Sequence, residues 1–360
     1  MSLPEPGKRR RVGRSFHALL AALLFGVSTP FSKLFLAAVD PIALSSLLYL
    51  GAGLGLGIAF CLGALRGPET PHEARLTRSD VPWLAVSIAA GGVVAPVLLL
   101  YGLRATPAAT ASLLLNFEAV ATVLLAAAVF GEPVGRRGWA ALAAIALGSS
   151  ILAVEPGSRF GISSGALLVL GACAMWGLDS NVTRLLSLRD PLHIATVKGF
   201  VSGTVSLGLA LALGRGFPAL GTVVLALLLG AVSYGASLVF FVHSLRHVGA
   251  ARTGTLFGTA PFAGVLISLM VFRQIPAATF FLGAPCAVAG VALLLLERHG
   301  HRHAHEAFVH EHAHRHDEGH HGHLHAEGAS SALSHSHLHE HEPMEHEHEH
   351  RPDVHHRHKR

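Results

Sequence analysis

Residues 124–154 read "LLAAAVFGEPVGRRGWAALAAIALGSSILAV". One apolar block closes at Phe130, a polar turn covers residues 131–137, and a second apolar block runs on to Val154. Neither block alternates apolar and polar residues, as the strand of a membrane β-barrel would. Their length suits the roughly 20 residues that a helix needs to cross a bilayer core. With so short a link, the pair reads as a membrane-spanning helical hairpin.

The same reading extends outward to ten spans, at residues 16–38, 41–64, 81–103, 107–130, 138–154, 165–186, 191–213, 219–243, 250–272 and 278–296. The links are a few residues long, apart from residues 65–80, and leave no room for a soluble domain. Composition agrees. The chain has 360 residues, of which 51% are hydrophobic and 14% charged, against about 25% charged in a globular protein. The basic run and apolar run at the N-terminus resemble a signal peptide. The apolar run is too long for one, and more spans follow, so it is read as an uncleaved first span. Cys61, Cys173 and Cys286 are dispersed among apolar residues, which argues against a disulfide framework or a thiolate metal site.

Charge sets the expected orientation. With the N-terminus in the cytoplasm, the inside segments hold Lys8, Arg9, Arg10, Arg11, Arg14, Arg66, Arg75, Arg78, Arg136, Arg137, Arg184, Arg189, Arg246, Arg252, Arg298 and Arg302. The outside links hold Arg104, Arg159, Arg215 and Arg273. Sixteen against four is a strong positive-inside bias. The net charge of +5 is therefore topological and does not point to nucleic acid. An even number of spans puts the C-terminus in the cytoplasm as well.

The chain repeats itself. Slid by 142 residues, the stretch 103–153 falls on 245–295 without a gap. Leu103 and Arg104 meet Leu245 and Arg246, Val129 and Phe130 meet Val271 and Phe272, and Gly148 meets Gly290. "FGVSTPFSK" (residues 25–33) likewise matches "WGLDSNVTR" (residues 176–184). Each half then holds five spans, and an odd number makes the second half enter the membrane inverted. Inverted repeats of this kind build many secondary transporters, with the substrate site near midplane between the halves. The expected fold is all-α integral membrane, ten transmembrane helices as two inverted five-helix repeats. The expected segments are a basic cytoplasmic N-terminus (1–15), two repeats (16–154 and 165–296) and a disordered His-rich cytoplasmic tail (297–360).

Five plus five spans, the aromatic-Gly pairs of spans one and six, the Gly131-Glu132 turn and the late Gly148 resemble the drug/metabolite transporter superfamily, EamA type. The resemblance covers roughly residues 16–296. It implies transport of small organic solutes, often as an exporter driven by an ion gradient. There are departures. Ala119 stands where a proline is often found, Arg273-Gln274 replaces the second Gly-Glu, and the tail is foreign to the pattern.

Polar groups inside the bilayer are costly, at least ~2.5–3.5 kcal/mol for a charge at midplane on insertion scales, so each asks for a reason. Glu118, beside Asn116 in span four, reads as a proton-coupled or substrate-binding carboxylate, or else as a scaffold group paired with a base such as Lys198. Asp179 and Asn181 lie mid-span in span six, and Ser28 in the matching part of span one, where Pro30 loosens the helix. Lys198 reads as a counter-ion or substrate ligand, or as a snorkelling base. Trp176, Tyr101 and Tyr234 could wall a cavity or simply pack. Lys33 and Arg184 read as anchors near span ends. His243 and His247 read as ordinary polar residues. No GxxxxGK[ST] occurs, so no built-in ATPase is indicated, and no enzyme activity is expected.

Of the 27 histidines, His17, His72, His193, His243 and His247 precede the tail and the other 22 lie within it. His alternates there with Glu, Arg, Ala and Leu, which reads as native sequence rather than a purification tag. Imidazole suits Zn, Ni, Co and Cu. Candidate metal ligands are His320, His321, His323, His339, His341, His346, His348 and His350. No span carries a paired His or Asp motif for a metal path, so the tail reads as a sensor, buffer or store. No cofactor is required. The first expectation is an exporter of small organic metabolites in the cytoplasmic membrane. The second is a divalent-metal exporter that uses the tail for capture, and the third a metal-responsive membrane protein that no longer transports. Expected partners are a small-molecule substrate, the bilayer and divalent metal ions, with no nucleic acid; homodimerisation is left open.

Overall fold

The structure, a computed structural model, describes residues 6–65, 76–155, 161–186, 189–248 and 250–296. In the tail it describes residues 300–305, 308–314, 335–341 and 344–349. Up to Leu296 the regular elements are helical. Chain order runs α1 (Pro6–Gly26), α2 (Ser28–Phe35), α3 (Pro41–Leu65), α4 (Val81–Ser87), a π-helical turn at Ile88–Val94, α5 (Ala95–Ala105), α6 (Ala108–Leu114), α7 (Phe117–Phe130) and α8 (Arg136–Ala153). It continues with α9 (Ser164–Arg184), α10 (Pro191–Ala212), α11 (Leu220–Gly230), a second π-helical turn at Ala231–Ala236, α12 (Ser237–Val248), α13 (Ala250–Phe257), α14 (Ala260–Phe272) and α15 (Ala278–Leu296).

Seven of the described helical stretches are long and apolar enough to cross a membrane: Phe16–Phe35, Pro41–Leu62, Arg78–Ala105, Ala108–Phe130, Ser164–Arg184, Pro191–Ala212 and Leu220–Leu245. Ala260–Phe272 and Ala278–Leu294 are apolar but shorter. Up to Leu296 the described chain is thus all-helical, with the make-up of a multi-pass membrane protein. The expected fifth span, α8, opens on Arg136 and Arg137, which shortens its apolar run.

Local chemistry explains where the helices start and stop. Asp190 accepts from the amides of Leu192 and His193 at the head of α10, and Pro191 fills the first helical position, where no amide partner is needed. Asp80 accepts from the amide of Thr77 (2.7 Å) ahead of α4. α7 ends on Gly131 in the left-handed conformation (φ 66°), the standard glycine stop. α14 ends the same way on Arg273 (φ 49°), where a side chain makes the conformation costly.

Interruptions recur at matching places in the two halves. α6 and α7 break at Leu115 and Asn116, and α13 and α14 at Gly258 and Thr259. The π-helical turns at Ile88–Val94 and Ala231–Ala236 also correspond at an offset of 142 residues, to within one residue at their start. Packing follows the same order: α3 lies on α10, α8 on α15, α6 on α14, α5 on α9 and α1 on α12. At the α8–α15 contact backbones nearly touch. A Cβ on Gly148 would lie 2.8 Å from the Gly283 carbonyl, and one on Gly290 2.8 Å from the Ala141 carbonyl. The Gly148/Gly290 equivalence read from the sequence is therefore a packing device.

In the tail, β1 (Gly300–His305) pairs antiparallel with β4 (Met344–Glu349), and β2 (Phe308–His314) with β3 (His335–His341). The sequence reading expects disorder over 297–360; the described pieces of that stretch are these two ribbons. An isolated two-stranded ribbon is marginal in water, so the pairing does not supply the core that the tail's composition lacks. His320, His321, His323 and His350, and the side chains of His339, His341, His346 and His348, lie outside the described residues.

Candidate functional site

A cavity of about 710 Å³ occupies the centre of the helical region. Its walls come from helix interruptions. Phe25, Ser28 and Thr29 flank the α1–α2 break at Val27; Leu115, Asn116 and Glu118 flank the α6–α7 break. Gly258 and Pro261 mark the α13–α14 break, and Tyr234 projects from the second π-helical turn. Non-helical backbone at membrane depth is tolerated where it is buried in protein or lines a cavity. From these breaks the cavity extends to residues 132–135, between α7 and α8, and to Leu294 near the end of α15.

Freed polar groups at the breaks find partners. The Asn116 amide donates to the Leu113 carbonyl (2.8 Å). The Cys173 thiol reaches the Leu114 carbonyl (3.6 Å), which gives one of the dispersed cysteines a local role. In the first π-helical turn the Gly91 carbonyl accepts from Tyr49 Oη (2.7 Å) and Trp176 Nε1 (3.1 Å). That fixes Trp176 in the cavity wall. Tyr49 stacks on Tyr234 with centroids 5.9 Å apart, and Phe25 meets Tyr234 edge-on at 5.7 Å. One side of the cavity is thus a braced aromatic wall.

Of the residues singled out in the sequence, Ser28, Asn116, Glu118, Trp176 and Asn181 line the cavity. Asn181 also donates to the carbonyls of Thr122 (3.0 Å) and Gly177 (2.8 Å), tying α9 to α7. Glu118 opens α7, where a carboxylate suits the positive end of the helix dipole. It belongs to none of the ion pairs among the described residues.

Asp179 and Lys198 are not among the lining residues. The Lys198 ammonium bonds Asp179 Oδ2, while Ser87 Oγ (2.6 Å) and Thr183 Oγ1 (3.1 Å) donate to Asp179 Oδ1. The sequence offers Lys198 as a counter-ion for a carboxylate such as Glu118, as a substrate ligand, or as a snorkelling base. The structure pairs it with Asp179, because α9 turns Asp179 toward α4 and α10 while turning Asn181 toward α7. Tyr101 packs against the apolar core and is absent from the cavity wall.

Two further residues of the cavity wall carry charge. Arg184 was read as an anchor, yet it lines the cavity, pairs with Glu132 and stacks over the Phe130 ring at 4.6 Å. Glu132 was seen only as part of a turn. The ion pair joins the first half of the chain to the second at one edge of the cavity. Lys33, read the same way as Arg184, does anchor: its ammonium donates to the carbonyls of Leu103 (2.5 Å), Arg104 (2.9 Å) and Thr106 (3.2 Å) at the end of α5. A cation there complements the negative end of the helix dipole. Among the described residues, no group of three or more His, Cys, Asp or Glu could hold a metal ion.

The chain is similar to several known proteins. A family model described as the EamA-like transporter family matches the chain twice, over residues 15–154 and 163–296. An uncharacterized transporter of Methanothermobacter thermautotrophicus is 30% identical over 285 residues, covering 75% of this chain and 83% of its own length. A "Probable terminal-alkyne amino-acid exporter" of Streptantibioticus cattleyicolor is 30% identical over 267 residues, 70% of this chain and 86% of that protein. A riboflavin transporter of Rhizobium johnstonii is 31% identical over 234 residues, 64% and 75% of the two chains. A solved crystal structure with 18% identity aligns at a TM-score of 0.53 over 79% of this chain and 96% of its own, which shows a shared fold.

Proposed function

The chain belongs to the EamA-like transporter family, a transporter rather than an enzyme, and on that premise we propose that it exports small organic solutes by alternating access. The supporting observation is the convergence of the α1–α2, α6–α7 and α13–α14 breaks and of Tyr234 on one cavity. Interrupted helices at a midplane site are the hallmark of secondary transporters. The paired interruptions and the double family match support ten spans in two inverted repeats, with α8, α14 and α15 as the short ones.

In this reading the cavity holds the solute. The aromatic wall of Phe25, Trp176 and Tyr234 takes its apolar part, and Glu118 and Asn116 its polar part. The names of two relatives, a probable terminal-alkyne amino-acid exporter and a riboflavin transporter, support an organic solute. Glu118, which has no ion partner among the described residues, is the carboxylate that binds the coupling proton or a basic group of the solute. Asp179 and Lys198 serve as scaffold, joining α9 to α10. Charge bias puts both termini in the cytoplasm, so the cavity edge at Glu132 and Arg184 faces inward. The tail is proposed to bind divalent metal as a buffer or sensor, outside the transport path.

The test compares metabolites and metals in cells with and without the protein, followed by transport of the best candidate in proteoliposomes. Accumulation of an organic solute in cells lacking the protein supports the proposal. A change confined to metal ions contradicts it.

A further inference from the structure

His17 and His243 are 226 positions apart, one in the first half of the chain and one in the second. The structure places their rings 4.9 Å apart, centroid to centroid, with planes at 57°. The contact is built into the packing of α1 on α12. Ser237 Oγ donates to the Ala21 carbonyl (2.8 Å) one turn along, and Phe240 backs the His17 ring at 5.8 Å. His17 Nδ1 is buried and has no hydrogen-bond partner among the described residues. A buried ring nitrogen without a partner is costly, which raises the question of what it faces.

Geometry points to an ion. A zinc-bound imidazole nitrogen lies 2.0–2.1 Å from the metal, so two rings sharing one tetrahedral ion have centroids about 5 Å apart. The observed separation meets that figure. We propose that His17 and His243 bind a divalent transition cation of the zinc or nickel class across the contact between the two halves. No third His, Cys, Asp or Glu joins them among the described residues, so water completes the coordination. His247 follows His243 by four residues in the same helix.

The site is separate from the central cavity, since neither histidine lines it. It also holds whether or not the chain exports organic solutes. Its consequence is conformational: an ion that both rings must reach binds this arrangement of α1 and α12 better than any in which they part, and shifts the population toward it.

The test is thermal melting of the purified full chain in detergent, with Zn2+ or Ni2+ and with excess chelator. Histidines of the tail bind the same ions, but they cannot tie α1 to α12. The wild type is expected to gain about 2 °C or more in Tm, reversed by chelator, and His17→Gln and His243→Gln each to lose the gain. No gain in the wild type, or an equal gain in both variants, overturns the site. Should a glutamine variant fail to fold, the double variant H17C/H243C replaces it. A Zn2+-dependent rise in its Tm supports the shared ion, and an unchanged Tm overturns it.

Discussion

Lys198 and Asp179 form an ion pair between α10 and α9, and the pair stands apart from the cavity that Glu118 lines. The two side chains are 18% and 12% exposed, and Ser87 and Thr183 satisfy the second carboxylate oxygen. Breaking a buried pair by removing one partner costs about 3–5 kcal/mol. Asp179→Asn and Lys198→Met should each lower protein abundance and melting temperature, measured by fluorescence-detected gel filtration after heating. The double variant should recover part of the loss. Single variants that melt like the wild type would show that the pair is not scaffold.

Arg273 closes α14 in a left-handed conformation that Gly131 occupies at the matching end of α7. A non-glycine residue there costs roughly 1–2 kcal/mol. Arg273→Gly should therefore raise the melting temperature, whereas Gly131→Ala should lower it. Opposite signs at equivalent positions are a sharper check than either change alone.

Topology follows from the charge count. Reporter fusions after Leu65, Arg137 and His299 should report cytoplasm, and a fusion after Pro156 the outside. A cytoplasmic signal at Pro156 removes both the ten spans and the inverted repeat.

Deleting residues 299–360 should leave solute transport intact, since the family match ends at residue 296. The expected change is confined to metal binding by the purified protein. Loss of metal tolerance in cells, with transport of the organic solute unaffected, would turn the account toward metal export.

Much of the architecture was legible because a membrane simplifies the code. Apolar blocks, polar turns and the offset of 142 residues gave helices, links and the correspondence of the halves without long-range information. Ser28, Asn116 and Glu118 could be singled out because a polar residue beside a break is conspicuous in an apolar span. Side-chain direction was not legible. Asp179 and Asn181 lie two positions apart on α9 and face different neighbours, which a linear reading treats as one cluster. The Glu132–Arg184 pair joins residues 52 positions apart, and no local pattern announces it. The His17–His243 contact lies at a still greater separation, and both residues looked unremarkable alone.

On the proposed function, Glu118 takes part in transport and carries no scaffold role. The direct measurement is solute flux in proteoliposomes for Glu118→Gln, with and without an imposed proton gradient. Unchanged abundance and melting, retained exchange without a gradient, and loss of gradient-driven flux are expected. Gradient-driven flux equal to the wild type would contradict it.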